Sequence, residues 1–239
     1  MQFILLLLFQ LQSADALDVG TNYQYLWDYR DQNDNTDTAL TTLNSMKETA
    51  PNDYEVHWNL ARFYYWSASS STDSERTAIL AKKGLEAAEE AKRIKPTAIE
   101  GWYWATANIG IYADAGGTFI TVTENLSSRY KVNAEKAISI DPLYDDGGPY
   151  RSLGIYYTKL PWPLQDLQKA EELIGRSMKE NPNRALSLYH YAEIQIKSGD
   201  STGGKNTLQK ILSLDPEKGN APEIRRYKPQ AEERLHSIE

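Results

Sequence analysis

The 239-residue sequence contains no cysteine and only three histidines. The missing thiols exclude disulfides, iron–sulfur clusters, thiolate zinc sites and cysteine nucleophiles. The histidines, His57, His190 and His236, lie far apart in the chain, so no His-Glu-x-x-His pair is present to hold a catalytic zinc. The sequence also lacks a complete Walker loop and a Gly-x-Gly-x-x-Gly fingerprint. We therefore expect a non-enzymatic protein that needs neither a metal nor a cofactor.

Positive charge and low-complexity sequence are also scarce. The formal net charge of −7 has the wrong sign for a general nucleic-acid binder or a protein that adheres to anionic membranes. The chain has 14 Gly and 10 Pro, and 41% of its residues are hydrophobic, so collagen-like and disordered chains are excluded. The composition indicates an acidic globular protein with a real core and without a nucleic-acid partner.

The longest unbroken apolar run is Phe3–Phe9, which is far shorter than the roughly 20 residues that span a membrane. Ala14-Asp15-Ala16 follows it with the small residues of a signal-peptidase site. We predict that residues 1–16 are a cleaved export signal, although they contain no Lys or Arg. A buried N-terminal helix and a misassigned start codon are the alternatives. Because lipid anchoring needs a cysteine, the exported chain should be periplasmic or secreted, without an anchor and without a membrane span.

Five prolines recur in similar surroundings: Pro51, Pro96, Pro142, Pro182 and Pro216. They are separated by 45, 46, 40 and 34 residues. Each follows a stretch with helical periodicity, and a proline cannot continue a helix, so each one marks a helix end. Another helix follows each proline, and after the first four prolines this helix is rich in aromatic residues. A period of 34 residues in this order is typical of helical-hairpin repeats.

Small residues recur at fixed distances from these prolines. They indicate where the two helices of each hairpin touch, because helices approach closely only where side chains are small. After Pro96 the small position is either Ala105 or Ala107. Twelve residues before the prolines stand Ala39, Gly84, Ala170 and Gly204, with Tyr130 as the exception, and after them come Ala61, Gly154 and Ala192.

Over almost the whole mature chain this pattern resembles the tetratricopeptide-repeat (TPR) superfamily. The resemblance implies an all-α fold, a right-handed α-solenoid of about five TPR-like helical hairpins plus a C-terminal helix. Two long units should carry insertions, at Ser67–Ser74 and Asp114–Asn125. The predicted units are residues 17–51, 52–96, 97–142, 143–182 and 183–216, followed by a capping helix at 222–238.

Two short stretches are similar to a narrower group, the exported bacterial TPR-like proteins related to the TRAP-transporter T-component. They are Gly101–Ala105 with Asn108, and Lys159–Leu164. This resemblance implies an accessory of a TRAP-type solute-uptake system, with a solute-binding component of the transporter as the protein partner. Members of that group are often lipoproteins, and this chain lacks the cysteine.

In TPR proteins the first helix of each unit lines a concave groove, and we expect this groove to bind a protein partner. We therefore predict an exported binding or scaffold protein. This prediction is also compatible with a homo-oligomer. The alternative function is binding of a small apolar ligand in a cavity lined by Trp102, Trp104 and Tyr112. A further alternative is that the aromatic residues of these helices belong to the hydrophobic core and line no groove. The candidate groove residues are Glu55, Trp58, Arg62, Tyr65, Trp66, Trp102, Trp104, Thr106, Tyr112, Arg151, Tyr189 and Glu193.

Three turns are further candidate sites. Asp31–Asp37 resembles a calcium loop but lacks its glycine and final glutamate, so we predict a turn in which Asp37 or Asn35 caps the next helix. Asp145–Gly148 is predicted to be a turn before a helix that starts at Pro149. Trp162, between two prolines, either fills the gap between the helices of the fourth unit or stands exposed as a docking turn.

Overall fold

The computed structural model describes residues 19–238, and all regular structure in that range is helical. This confirms the predicted all-α solenoid of helical hairpins. A short 3-10 turn at Pro216–Lys218 precedes the last helix. The helices are α1 (Val19–Asp28), α2 (Asn35–Thr49), α3 (Tyr54–Ser70), α4 (Ser74–Ile94), α5 (Ile99–Thr123), α6 (Leu126–Ile140), α7 (Tyr144–Lys159), α8 (Leu167–Glu180), α9 (Ala185–Lys197), α10 (Ser201–Ser213) and α11 (Ala221–His236).

The helices form pairs that stack along the chain. Each helix packs on the next one, and the first helices of successive hairpins also touch, as α3 does with α5, α5 with α7, and α7 with α9. The helix α11 packs on both α9 and α10. The five recurring prolines lie just beyond the ends of α2, α4, α6, α8 and α10, where a ring without an N–H ends the helix.

Small residues occupy the helix crossings, as their spacing predicted. Ala61, Ala105 and Ala192 are fully buried, whereas Ala107 is only partly buried, so Ala105 is the small position after Pro96. A Cβ built on Gly204 would lie 3.2 Å from the carbonyl oxygen of Ala192. Larger side chains at these positions would push the paired helices apart.

The third hairpin reverses this arrangement. Tyr130 stands where the other hairpins have Ala or Gly, and Gly110 on the facing helix supplies the space. A Cβ built on Gly110 would meet the Tyr130 ring at 3.1 Å. The small residue has moved across the contact, which explains why Tyr130 is the exception in the pattern.

The two segments predicted to be insertions lie mostly within helices. Ser67–Ser70 belongs to α3, and only Ser71–Asp73 separates α3 from α4. The second segment extends α5 to Thr123, with a break at Gly117, whose φ of +69° favours glycine. The longer units therefore have longer helices.

The turn before α2 also differs from its prediction. Neither Asn35 nor Asp37 caps the helix; the cap position is Asp34, which has a left-handed φ of 55° and makes no side-chain capping bond. Asn35 lies inside the helix and donates from Nδ2 to the carbonyl of Tyr29 at 2.8 Å. Elsewhere aspartate does cap helices, as when the Asp73 carboxylate accepts the N–H of Arg76.

Two large apolar cores hold the described residues together. The first joins residues of α1 to α6, and the second joins α9, α10 and α11 through residues such as Leu188, Leu208 and Ile224. Smaller clusters around Leu153 and Ile174 connect them. Within residues 19–238, no helix combines the length and the apolar character required to cross a bilayer.

Candidate functional site

A cleft at the centre of the solenoid collects side chains from both ends of the chain. It leaves a cavity of about 20 Å³, which is room for roughly one water molecule. The cleft brings together three of the predicted groove residues, Tyr65, Trp66 and Trp104. The other lining residues are Trp27, Arg30, Tyr103, Asp145, Arg184, Leu186, Glu223, Arg226 and Tyr227.

Tryptophan and arginine side chains alternate along one wall of this cleft. The Arg30 guanidinium lies between two indoles, 4.3 Å from the Trp27 ring centre and 4.4 Å from that of Trp66. Arg62 continues the stack on Trp27 at 5.0 Å and on Trp58 at 4.5 Å. Such cation–π contacts contribute most when water is excluded, as it is here.

Arg30 and Arg62 are buried cations. They are 5% and 4% exposed, and the Nε atom of each has no hydrogen-bond partner among the described residues. Burial lowers the pKa of both guanidinium groups to about 10, because the charged form loses its hydration. Arg62 donates to the carbonyl of Tyr23, and Arg30 donates to the carbonyl of Trp27 and to Asn220. Both side chains are therefore held inside the fold.

The opposite wall is an ionic network centred on Asp145 and Arg184. Arg184 donates to Asp145 at 3.0 Å, to Asp146 at 2.9 Å and to both carboxylate oxygens of Glu223 at 2.8 Å. Arg151 donates to Asp145 at 2.8 Å and to the Tyr103 hydroxyl at 3.0 Å. The network joins α5, α7, α9 and α11.

A left-handed turn presents the carboxylates to this network. Asp145, Asp146 and Gly147 have φ values of 52°, 56° and 70°. Non-glycine residues adopt this conformation at a cost of roughly 1–2 kcal/mol each, so the ion pairs must offset it. The turn predicted for Asp145–Gly148 is thus present at Asp145–Gly147, within the first residues of α7, and its carboxylates join the ionic network.

Burial and the neighbouring charges have opposite effects on the pKa of Asp145. Burial alone would raise the pKa of its carboxyl group, but the positive charges of Arg184 and Arg151 outweigh burial and lower that pKa below its ordinary value. At Tyr103, burial and the neighbouring Asp145 carboxylate both act against ionisation and raise the pKa well above 10. The aspartate is charged and the tyrosine neutral at pH 7.

Several predicted groove residues lie outside the cleft. Glu55 is exposed and accepts the indole N–H of Trp58 at 2.7 Å. Thr106 is buried and bonds back to the carbonyl of Trp102. Tyr189 packs on Tyr227, and Glu193 pairs with Arg234 at 2.6 Å, so both contact α11.

Arg62 and Arg151 were expected on an accessible groove, and this is incorrect. Arg62 is enclosed by aromatic rings, and Arg151 is only 1% exposed. The apolar cavity predicted from Trp102, Trp104 and Tyr112 is not formed either. Trp102 lies under Lys92 at 4.4 Å, Trp104 faces the cleft, and the Tyr112 hydroxyl donates to Glu124.

The turn after α7 exposes its indole. Trp162 is 90% exposed and Leu164 is 64% exposed. The simpler expectation, that Trp162 fills the space between the helices of its hairpin, is therefore wrong. This turn is an apolar projection on the surface.

The two ends of the solenoid meet through polar contacts. Arg225 of α11 donates to both carboxylate oxygens of Asp31, at 2.7 and 3.2 Å. Arg226 donates to the hydroxyl of Ser69 at 2.6 Å and lies 5.1 Å from the Trp66 ring centre. These contacts close the cleft, which explains why the predicted groove is filled.

Sequence reasoning missed Trp27, Arg30, Arg184 and Glu223. Arg184 and Glu223 are 39 residues apart, and no local spacing connects them. Trp27 and Arg30 are three positions apart, a spacing that brings side chains together over one helical turn, and this signal was available although Arg30 lies just past the end of α1.

Sequence reasoning also overlooked a Gly-x-Ser-x-Gly pattern at Gly199–Gly203. In hydrolases this motif follows a strand, whereas here it links α9 to α10. Ser201 is the first residue of α10 and is exposed, while Asp200 caps the helix by accepting the N–H of Gly203. The same segment resembles a Walker loop, but Asn206 stands where that motif needs Ser or Thr. Neither motif has its structural context.

One protein family matches more than half of the chain. The model of the family described as regulator of microtubule dynamics protein 1-3 matches residues 23–160. No curated protein matches the sequence.

Solved structures share the fold. A thermophilic TPR protein of Thermus thermophilus, TTC0263, superposes with a TM-score of 0.65 over 89% of this chain and 98% of its own, at 15% identity. PilW, a widely conserved type IV pilus biogenesis factor, superposes with a TM-score of 0.57 over 92% of both chains, also at 15% identity. These likenesses show a TPR-like fold.

Proposed function

The chain belongs to the family of regulator of microtubule dynamics proteins 1-3, and we propose from this membership and from its fold that it is a non-enzymatic scaffold that binds another protein. TPR-like solenoids present large surfaces built from repeated helices, which suits them to protein recognition. The proposal concerns the class of function, and two features of the molecule suggest where a partner binds.

The turn around Trp162 is the first and preferred docking surface. An indole that is 90% exposed, beside a leucine that is 64% exposed, offers apolar area already available to a partner. Tryptophan is among the residues that most often dominate interface energies. We expect its partner to be a protein with an apolar pocket that can enclose one indole.

The central cleft is the second docking surface, and it contains several of the residues predicted from the sequence. Aromatic and arginine side chains are dense there, but the contacts of α11 with Asp31 and Ser69 close it. A partner would have to separate these contacts before reaching Trp66 or Arg30. This requirement favours the Trp162 turn.

Two partner classes follow from different observations. The family description points to microtubules or to proteins that act on them. The short similarities at Gly101–Ala105 and Lys159–Leu164 favour an exported accessory of a TRAP-type solute-uptake system, and that assignment rests on those residues alone. The first class requires a cytosolic chain, and the second requires residues 1–16 to be removed on export.

The experiment measures binding of the purified chain to polymerised tubulin and, separately, to a purified solute-binding component from the same host. Trp162→Ala is compared with Val132→Ala, which removes another exposed apolar side chain, on α6. Loss of an interface anchor costs about 2 kcal/mol, which is roughly a thirtyfold loss of affinity. We expect that loss for Trp162→Ala and an unchanged affinity for Val132→Ala.

If both variants bind as the wild type does, the Trp162 turn is not the docking surface and the cleft becomes the better candidate. If neither purified protein binds, both proposed partner classes are wrong. The cavity predicted for a small apolar ligand is not formed, so we expect no saturable quenching of tryptophan fluorescence by such a ligand; saturable quenching without any protein partner would contradict this expectation.

A further inference from the structure

The arginines of this protein divide into two groups. The sequence has eleven, and seven have a carboxylate oxygen within 4.0 Å, as in the pair of Arg225 with Asp31. The seven are Arg93, Arg129, Arg151, Arg176, Arg184, Arg225 and Arg234. No described carboxylate pairs with Arg30, Arg62, Arg76 or Arg226. These four arginines lack such a partner although the chain carries a net charge of −7.

The four unpaired arginines lie close to Trp66 and Trp27. Arg30 and Arg226 both stack on Trp66, and Arg62 reaches the same stack through Trp27. Arg76, on the first turn of α4, lines a surface cavity together with Arg30 and Trp66. Positive charge is therefore concentrated around one tryptophan.

This surface cavity differs from the closed cleft. Its volume is about 380 Å³, within the range of small-molecule sites. Ser67 and Thr72 line it, and neither hydroxyl group makes a hydrogen bond among the described residues, so both can donate to a ligand. The Arg76 side chain is exposed and its guanidinium is likewise free to turn inward.

One acidic residue also borders the cavity. The Asp73 carboxylate accepts the backbone N–H of Arg76 at 2.8 Å and so caps α4. With Arg30 and Arg76 counted against Asp73, the lining carries one net positive charge. Arginine with its planar fork, assisted by hydroxyl donors, is the side chain best matched to a phosphate group.

We propose that this cavity, between the end of α3 and the start of α4, binds a phosphate group through Arg76, Ser67 and Thr72, while the buried cation of Arg30 behind them adds positive charge. The phosphate is either a free phosphate ester or the phosphorylated side chain of a partner. The site is independent of the Trp162 turn, so it can exist whether or not that turn binds a partner.

The test is calorimetric titration of the full chain with inorganic phosphate, with O-phosphoserine, with a short peptide that carries one phosphoserine, and with sodium chloride at the same ionic strength. Arg76→Gln removes the exposed cation, and Arg176→Gln is the matched control because Arg176 is also exposed and lies on α8. A hydrogen bond to a charged group contributes about 1.5–3 kcal/mol, so its loss should weaken binding about tenfold or more.

We expect saturable phosphate binding that Arg76→Gln weakens about tenfold and Arg176→Gln leaves unchanged. Tighter binding of the phosphoserine peptide than of O-phosphoserine would assign the site to a phosphorylated partner, and equal or weaker binding of the peptide would assign it to a free phosphate ester. Absence of saturation below about 10 mM, or equal binding by wild type and Arg76→Gln, would overturn the proposal. Thermal unfolding of each variant without ligand verifies that both are folded.

Discussion

Replacing Arg184 by alanine should destabilise the protein more than removal of any exposed ion pair. Arg184 is buried and is hydrogen-bonded to Asp145, Asp146 and Glu223. The variant would keep Arg151 beside Asp145, but Glu223 would retain only its bond from the backbone N–H of Leu186. Removing one partner of a buried ion pair costs about 3–5 kcal/mol, because the remaining charge stays buried without compensation.

The assay is equilibrium unfolding in urea at pH 7, with Arg176→Ala as the control. Arg176 pairs with Glu172 on an exposed face of α8, where such a pair contributes at most about 1 kcal/mol. The variants should differ from wild type in midpoint and not in slope, since the surface exposed on unfolding is nearly the same.

A double-mutant cycle tests the mechanism directly. Glu223→Gln removes the charge that Arg184 leaves behind, so adding it to Arg184→Ala should recover part of the lost stability. If Arg184→Ala costs no more than Arg176→Ala, the ionic network does not hold the hairpins together. If the double variant is as unstable as the sum of the single ones, the unpaired carboxylate is not the cause.

Three further outcomes are expected. Ala192→Trp should lower the stability by about 1–3 kcal/mol or more, because it overpacks the crossing with Gly204. The control is Gln209→Trp on the exposed face of α10. If both variants unfold at the wild-type midpoint, the helix pairing is wrong. The pKa of Asp145 is lowered on folding, so its contribution to stability is complete above an ordinary pKa of about 3.9 and is lost as pH falls through the folded pKa. Asp145→Asn should therefore lose less stability than wild type between pH 5 and 2, roughly, as unfolding at each pH will measure. Asp31→Arg should lower the stability by about 1 kcal/mol or less, because it breaks the ion pair with Arg225. Adding Arg225→Asp should restore the ion pair and the lost stability. Equal stability of the single and double variants would refute the contact.

The hairpins were predictable because their determinants are local. A proline that ends a helix and a small residue at a crossing act over a few residues, and their spacing repeats along the chain. The exchange at Gly110 and Tyr130 obeys the same rule with the two roles reversed. A rule that requires one small residue at each helix crossing, on either of the two helices, would have included this hairpin.

The serine-rich segment at the end of α3 is helical, and its side chains support the helix. Ser69 and Ser70 both donate to the carbonyl of Trp66, at 3.1 and 2.8 Å. Elsewhere serine side chains often compete with helical hydrogen bonds. Composition alone does not tell which of these two geometries a serine adopts.

The filled cleft was not predictable from spacing, because it depends on how far the solenoid curves. Each hairpin adds a small rotation, and the sum decides whether the two ends meet. Here Arg225 reaches Asp31 across 194 residues. No sequence pattern within one repeat predicts a contact between residues so far apart in the chain.

Burial changes what the two arginines predicted for the groove, Arg62 and Arg151, contribute. On an open groove, Arg62 and Arg151 would keep their water and remain available to a partner. Inside the closed solenoid they have lost that water, and indoles, backbone carbonyls and Asp145 replace it. A partner that opened the cleft would have to supply equivalent contacts for each of them, since an unpaired buried charge is costly. Trp162 has no such requirement, because its indole already faces solvent and gains by burial. The residues with the chemistry of a binding surface are therefore not the ones best placed to bind, and the turn after α7 is the better docking candidate.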